Sequence, residues 1–241
     1  MNHEERLIVA LDYPRWQEAL ELVDSLPEVV FYKIGLEMFL SAGQQAIKDL
    51  KDRGKKVFLD LKFHDIPNTV AQACCQACRF GADIINVHAA GGAKMMEQAA
   101  KEMAAYAQKE GLTPPALIAV TILTSMAAED LASVGFSGLP AENVVRLAKL
   151  SHGYGMQGVV ASPREIKQIR EAVGQDFLIV CPGVRPAGAD LNDQQRTMTP
   201  GEAIAAGADY LVVGRPITKA AEPRTKALEI LAEIRQGLAQ R

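Results

Sequence analysis

The sequence predicts a single closed α/β barrel of the (β/α)8 (TIM barrel) kind, one domain spanning residues 1–241. Three observations predict it. Eight short apolar runs rich in Val and Ile recur along the chain, each near-continuously apolar as in parallel strands covered on both faces. Segments of helical periodicity separate them, and no Gly-, Ser- or Pro-rich linker interrupts the series. The length, 241 residues, is close to the ~250 that such a barrel typically needs.

The strands are read in order as Leu7–Leu11, Val29–Ile34, Lys56–Leu61, Ile84–Val87, Ala116–Leu123, Gly158–Ala161, Phe177–Val180 and Tyr210–Val213. Between them, Pro14–Leu26, Gln44–Arg53, Thr69–Phe80, Gly92–Lys109, Ala141–Ser151, Pro163–Val173 and Pro200–Ala206 space their apolar residues for one helical face, with Glu, Lys, Arg and Gln on the other. Asp12-Tyr-Pro14, Ser162-Pro163 and Thr199-Pro200 read as helix starts with Pro in the first turn. The long interval 124–157 is expected to hold a loop over the barrel mouth, a candidate lid, and then a helix. The competing architecture, an open doubly wound sheet, would usually show GxGxxG after its first strand, where this chain has Leu11-Asp-Tyr-Pro14.

Composition narrows the function. Hydrophobic residues make up 49% and charged residues 23%, which supplies a large core and excludes a disordered chain. Aromatics are only 5%, so Val, Ile, Leu and Ala must build that core. A net charge of −3 without basic runs offers no nucleic-acid surface, and no apolar run approaches bilayer length. The acidic start Met1-Asn-His-Glu-Glu-Arg6 is unlike a secretion signal, so a cytoplasmic protein is expected. Of the four cysteines, Cys75-Gln-Ala-Cys78 has CxxC spacing but no second ligand pair, and with Cys74 it falls inside a helical stretch. Those thiols, and Cys181, are expected to be small buried residues.

In a barrel of this type the site lies where the strands end at their C-terminal side. Those ends carry Asp12, Lys33, Asp60, Lys62, His88, Thr124, Ser162, Arg185, Gly214 and Arg215. Along strand three, alternation points Asp60 and Lys62 the same way, and Lys33 on the neighbouring strand faces the same space. Buried as structure alone, such a cluster would be a poor substitute for Leu and Val. A lysine held beside carboxylates stays protonated at neutral pH, so it can stabilise an adjacent carbanion and then protonate it. Gly214-Arg215-Pro216 after strand eight, with Arg185 after strand seven, forms a candidate phosphate site. Gly135-Phe-Ser-Gly138 lacks the second glycine of a nucleophile elbow, and His64 and His88 lack metal-ligand spacing. No Walker loop or dinucleotide fingerprint occurs, so no metal or organic cofactor is expected.

The block Asp60-Leu-Lys-Phe-His-Asp-Ile-Pro-Asn-Thr69 resembles the signature of the orotidine 5′-phosphate decarboxylases. Val9–Asp12, Tyr32–Gly35, Asn86–Ala89, Leu123–Ser125, Pro182–Pro186 and Val213–Pro216 resemble further blocks of that family in order, so the likeness covers essentially the whole chain. It implies cofactor-independent decarboxylation of orotidine 5′-monophosphate to UMP and CO2, within UMP biosynthesis. Lys62 then matches the lysine that protonates C6, and Asp60 the aspartate beside the departing carboxylate. Lys33 and Asp65 complete a Lys-Asp-Lys-Asp array whose last aspartate comes from the partner of a homodimer. Asp12 and Lys33 match ribose contacts, Thr124 the pyrimidine contact, and Arg185, Gln194, Gly214 and Arg215 the phosphate set. The substrate-binding block is carried over whole as Asp60, Leu61, Lys62, Phe63, His64, Asp65, Ile66, Pro67, Asn68 and Thr69, with Asp65 and Thr69 on the segment shared across the interface. Two other readings remain open at this point. One is a Mg2+-dependent sugar-phosphate decarboxylase or synthase sharing the Asp-x-Lys-x-x-Asp core, against which Pro67-Asn-Thr69, Arg185 and Gln194 argue. The other is a non-catalytic nucleotide-binding barrel, which would be expected to lose Lys62 or its carboxylate neighbours first.

Overall fold

The computed structural model describes residues 2–186 and 198–241. Eight parallel strands close on themselves in sequence order: β1 (Leu7–Ala10), β2 (Phe31–Gly35), β3 (Lys56–Phe63), β4 (Ile84–His88), β5 (Ala116–Val120), β6 (Gly158–Val160), β7 (Leu178–Pro182) and β8 (Tyr210–Val213), with β8 pairing back onto β1. The expected (β/α)8 architecture is therefore present. The principal helices are α1 (Trp16–Ser25), α2 (Leu36–Ala42), α3 (Gln44–Asp52), α4 (Pro67–Arg79), α5 (Ala93–Glu110), α6 (Ala128–Ser133), α7 (Pro140–Gly153), α8 (Ile166–Val173), α9 (Pro200–Ala206), α10 (Arg215–Thr218) and α11 (Pro223–Ala239).

Strand alternation sorts the apolar residues into two cores. Leu7, Val9, Tyr32, Ile34, Val57 and Leu59 face outward into the layer shared with the helices. Ile8, Phe31, Phe58, Ile84, Ile118, Val180 and Val212 face inward and fill the barrel itself. The same parity carries the inward rows upward to Lys33 on β2, Asp60 on β3 and Asn86 on β4, all buried at the C-terminal side of the strands. Phe31 and Tyr210 stack edge-to-face at 5.6 Å and plug the opposite end of the barrel.

Several boundaries differ from those expected, each for a local reason. β3 runs two residues beyond Leu61 because its pairing with β4 slips between Leu59 and Phe63, lengthening the strand. β5 stops at Val120, ahead of the expected Leu123. The interval after β5 holds a short helix, α6, before α7, so it is not a plain loop. The Asp130 carboxylate accepts the Ala127 N–H at 2.8 Å and caps the start of α6. α2 escapes periodicity because its pattern is inverted: Met38 is buried while Leu36 and Leu40 are 55% and 84% exposed. α11 completes the eighth unit, with Ala227, Ile230, Leu231 and Ile234 at i, i+3, i+4, i+7 spacing on its buried face. At α9, Thr199 and Glu202 cap each other reciprocally, as the Thr199-Pro200 start foretold.

All four cysteines are free and buried, three of them along α4. Burial pushes the Cys74 thiol up to about 12, consistent with packing rather than redox chemistry.

The N-terminal side of the barrel is tied by one guanidinium. Arg170 donates to the carbonyls of Gly174, Gln175, Phe177 and Gly207 and to the Asp209 carboxylate, which also accepts the Ile179 N–H at 2.9 Å. This joins α8 to the starts of β7 and β8, far from the strands' C-terminal side. Removing one partner of a buried pair leaves the other uncompensated. Arg170→Met is expected to lower stability by ~3 kcal/mol, read as a shifted urea midpoint at unchanged slope.

Candidate active site

The inward rows of β1, β2 and β3 end in a line of alternating charge. The Lys33 ammonium lies 3.2 Å from Asp12 Oδ1 and 3.5 Å from Asp60 Oδ2. The Lys62 ammonium donates to Asp60 Oδ1 at 2.7 Å. Asn86, wholly buried on β4, donates its Nδ2 to the same Asp60 oxygen at 2.7 Å. Asp60 therefore collects two ammonium groups and one carboxamide, the dense compensation that a buried carboxylate requires. Glycine at position 35 leaves room for the Lys33 ammonium, since a Cβ there would sit 2.9 Å from Lys33 Nζ.

Lys62 has a φ of 52°, and among the described residues it is the one non-glycine in the left-handed region. The cause is the slip in pairing: Asp60, Leu61 and Lys62 face the single residue Asn86, so the strand must bulge. The bulge turns the Lys62 side chain inward onto Asp60, while the Lys62 N–H finds its acceptor in Asn86 Oδ1 at 2.8 Å. Strain of this kind costs ~1–2 kcal/mol and collects at functional sites.

Above the array lies a cavity of about 270 Å³. Lys33, Asp60 and Lys62 form its charged wall, Thr124 and Ser125 reach it from the loop after β5, and Val120, Val160, Pro182 and Val212 form an apolar wall opposite. Such a space accepts a flat ring against the apolar wall and aims two ammonium groups and a carboxylate at one edge of it. Among the described residues no cluster of three or more His, Cys, Asp or Glu side chains is placed to hold a metal.

The family model for the orotidine 5′-phosphate decarboxylase / HUMPS family matches residues 5–230. The chain belongs to this family. It is 52% identical to the orotidine 5′-phosphate decarboxylase of Hydrogenovibrio crunogenus over 95% of both chains. Against the enzyme of that name from Moorella thermoacetica it is 51% identical, over 97% of this chain and 94% of the relative. The crystal structure of orotidine 5′-phosphate decarboxylase from Lactobacillus acidophilus superposes with a TM-score of 0.84 at 39% identity, covering 95% of this chain and 99% of that one.

Residues 60–69 divide between three environments. Asp60 and Lys62 line the cavity, whereas Leu61 and Phe63 pack against the outer hydrophobic layer. His64, Asp65, Ile66, Asn68 and Thr69 are exposed around the start of α4, where Pro67 occupies the first turn. Asp65 accepts the Ile66 N–H at 2.6 Å and, among the described residues, makes no ion pair with Lys62. The His64 and His88 rings lie 5.6 Å apart, and burial, reinforced by the charges of His64 and Lys62, holds His88 below the ordinary imidazole value.

Arg185 follows β7, and Gly214 and Arg215 follow β8. Arg185 is buried, donates to the Val184 carbonyl at 3.0 Å, and its N–H bonds the Met198 carbonyl at 3.0 Å. Gly214 caps α10, and its ideal Cβ would lie 3.8 Å from Asp12 Oδ2, so the ends of β8 and β1 adjoin. Tyr13 reinforces that junction by donating to the Thr218 carbonyl at 3.3 Å. Arg215 is the exposed first residue of α10, and Gln194 lies outside the described residues. Two residues escape a strand-end reading: Gly35 and Asn86. The available signal for Asn86 was an amide in the apolar run Ile84-Ile-Asn-Val87, a residue depleted from strand interiors.

The backbone strain can be separated from the amine. Lys62→Gly and Lys62→Ala both remove the ammonium, but only glycine is at ease at this φ. Lys62→Gly is expected to be more stable than Lys62→Ala by ~1 kcal/mol in denaturant titration, the reverse of their usual order in a strand.

Proposed function

We infer that the chain decarboxylates orotidine 5′-monophosphate to UMP and CO2 without a cofactor, as one domain over residues 1–241. The observation that carries this reading is the Lys62 ammonium, fixed 2.7 Å from Asp60 and opening on a cavity with an apolar opposite wall. The names of the relatives, at about half identity over nearly the full chain, support it.

The reaction breaks the bond between C6 and the carboxylate carbon and leaves the electron pair on C6, in an orbital orthogonal to the ring π system. The ring then offers no conventional electron sink. A preoriented cation is the available stabiliser, and Lys62 supplies it and then delivers its proton from Nζ to C6. Asp60 stands beside the departing carboxylate and holds Lys62 and Lys33 against the site of charge development. Lys33 and Asp12 hold the ribose, and Thr124 meets the pyrimidine. Arg185, Gln194, Gly214 and Arg215 hold the phosphate, whose distant binding energy presses the ring onto the charged array.

The site is completed by a second copy. Asp65 is exposed and, among the described residues, makes no ion pair with Lys62 within its own chain, as expected of a residue donated across a two-fold axis. Ile66 and, on neighbouring α2, Leu36 and Leu40 are exposed apolar residues on this side of the barrel, 66%, 55% and 84% accessible. Asp65 and Thr69 are then shared across a homodimer interface. A cytoplasmic setting accords with four unpaired, buried cysteines. Among the described residues no helix is long and apolar enough to cross a membrane.

Ultraviolet absorbance in EDTA tests the chemistry. Wild-type turnover of orotidine 5′-monophosphate is expected to persist, and Lys62→Ala to lose about 10³-fold or more in kcat. Turnover that appears only on adding Mg2+ would contradict it and point to sugar-phosphate chemistry. For the assembly, gel filtration is expected to give twice the chain mass, and a fully active monomer would overturn the shared site.

A further inference from the structure

We propose that Asn86 is a positioning residue for the proton donor: its carboxamide holds the β3 bulge open and thereby aims the Lys62 ammonium. This rests on the decarboxylase reading. Asn86 Oδ1 accepts the N–H of Lys62 at 2.8 Å, and Asn86 Nδ2 donates to Asp60 Oδ1 at 2.7 Å, the same oxygen that the Lys62 ammonium meets at 2.7 Å. The three contacts close a ring. One end of the amide fixes the backbone of Lys62 and the other fixes the carboxylate on which its side chain rests.

The chemistry of the ring demands an amide. Reversing the carboxamide would set an NH2 against the Lys62 N–H and a carbonyl against the Asp60 carboxylate, so its orientation is locked. A carboxylate at this position keeps the acceptor but has no donor for Asp60, and a serine hydroxyl is too short to span both partners. Packing alone would favour an aliphatic residue. The row below Asn86 is Ile84, and the inward residues across the barrel mouth are Val120, Val160 and Val212. A wholly buried polar side chain there is explained by the two hydrogen bonds it makes. The left-handed φ of Lys62 is explained in turn, because the bulge is retained only while its exposed N–H has a buried acceptor.

The test compares wild type with Asn86→Asp and Asn86→Ser, measuring kcat, KM for orotidine 5′-monophosphate and Kd for UMP. At about pH 8 both variants are expected to lose ~10–100-fold in kcat, the size of a lost hydrogen bond to a charged group, while UMP binding stays within about threefold. Asn86→Asp carries a second signature. The introduced carboxyl faces Asp60 and Lys62 on β3, with Lys33 beyond Asp60 and His88 on its own strand, and its β5 neighbour is the apolar Ile118. Two facing carboxyls share one proton as pH falls, which restores a donor to Asp60. The activity of Asn86→Asp relative to wild type is therefore expected to rise from about pH 8 to about pH 5.5. Asn86→Ser carries the comparison of kcat with UMP binding should the buried charge of Asn86→Asp prevent folding. The proposal is overturned if kcat stays within threefold of wild type, if kcat and UMP affinity fall together, or if the ratio for Asn86→Asp is flat with pH. Absence of wild-type turnover would instead remove the decarboxylase reading beneath it.

Discussion

One carboxylate organises the barrel mouth. Asp60 receives the Lys62 ammonium and the Asn86 carboxamide on one oxygen and the Lys33 ammonium on the other, and Lys33 extends the line to Asp12. Two cations in a mostly buried pocket would repel each other and be drawn toward solvent without it. With it, they are held before any ligand arrives, so that little reorganisation is left for the moment at which charge develops. The stability this sacrifices, a left-handed Lys62 and a buried polar layer where Val and Ile would pack, is the usual exchange of stability for function at a site.

The barrel makes that arrangement possible at modest expense elsewhere. Alternation delivers Lys33, Asp60 and Asn86 to the interior in successive strands, directly above the apolar plug of Phe31, Phe58 and Ile84. The polar layer is thus confined to the C-terminal side of the strands. The opposite side carries a separate network around Arg170 and Asp209, which ties α8, β7 and β8 and touches none of the charged array. The stabilising network and the charged array lie at opposite ends of one closed sheet.

Much of this is legible in the sequence. Eight apolar runs marked eight strands, and β8 was placed residue for residue. Asp12, Lys33, Asp60 and Lys62 stood out because charges followed apolar runs at equivalent positions. What escaped has physical causes. Period-two reasoning placed Asp60 and Lys62 on one side, yet it could not foresee that three residues of β3 would face one of β4, because a bulge is a property of the pair of strands. Asn86 owes its importance to partners 24 and 26 residues away in sequence, on another strand. Helix α2 hid because its leucines point outward, where periodicity expects them to point in. Asp65 joins the charged array through the family resemblance, and among the described residues it makes no ion pair with Lys62 within a single chain.

On this geometry Asp60 and Lys62 form one preorganised unit rather than two independent charges. A double-mutant cycle tests it most directly, with kcat/KM measured for Asp60→Ala, Lys62→Ala and the double variant. A single unit predicts that the double variant is about as impaired as the worse single one, because either change dismantles the arrangement. Losses that multiply would show two groups contributing separately and would contradict the account.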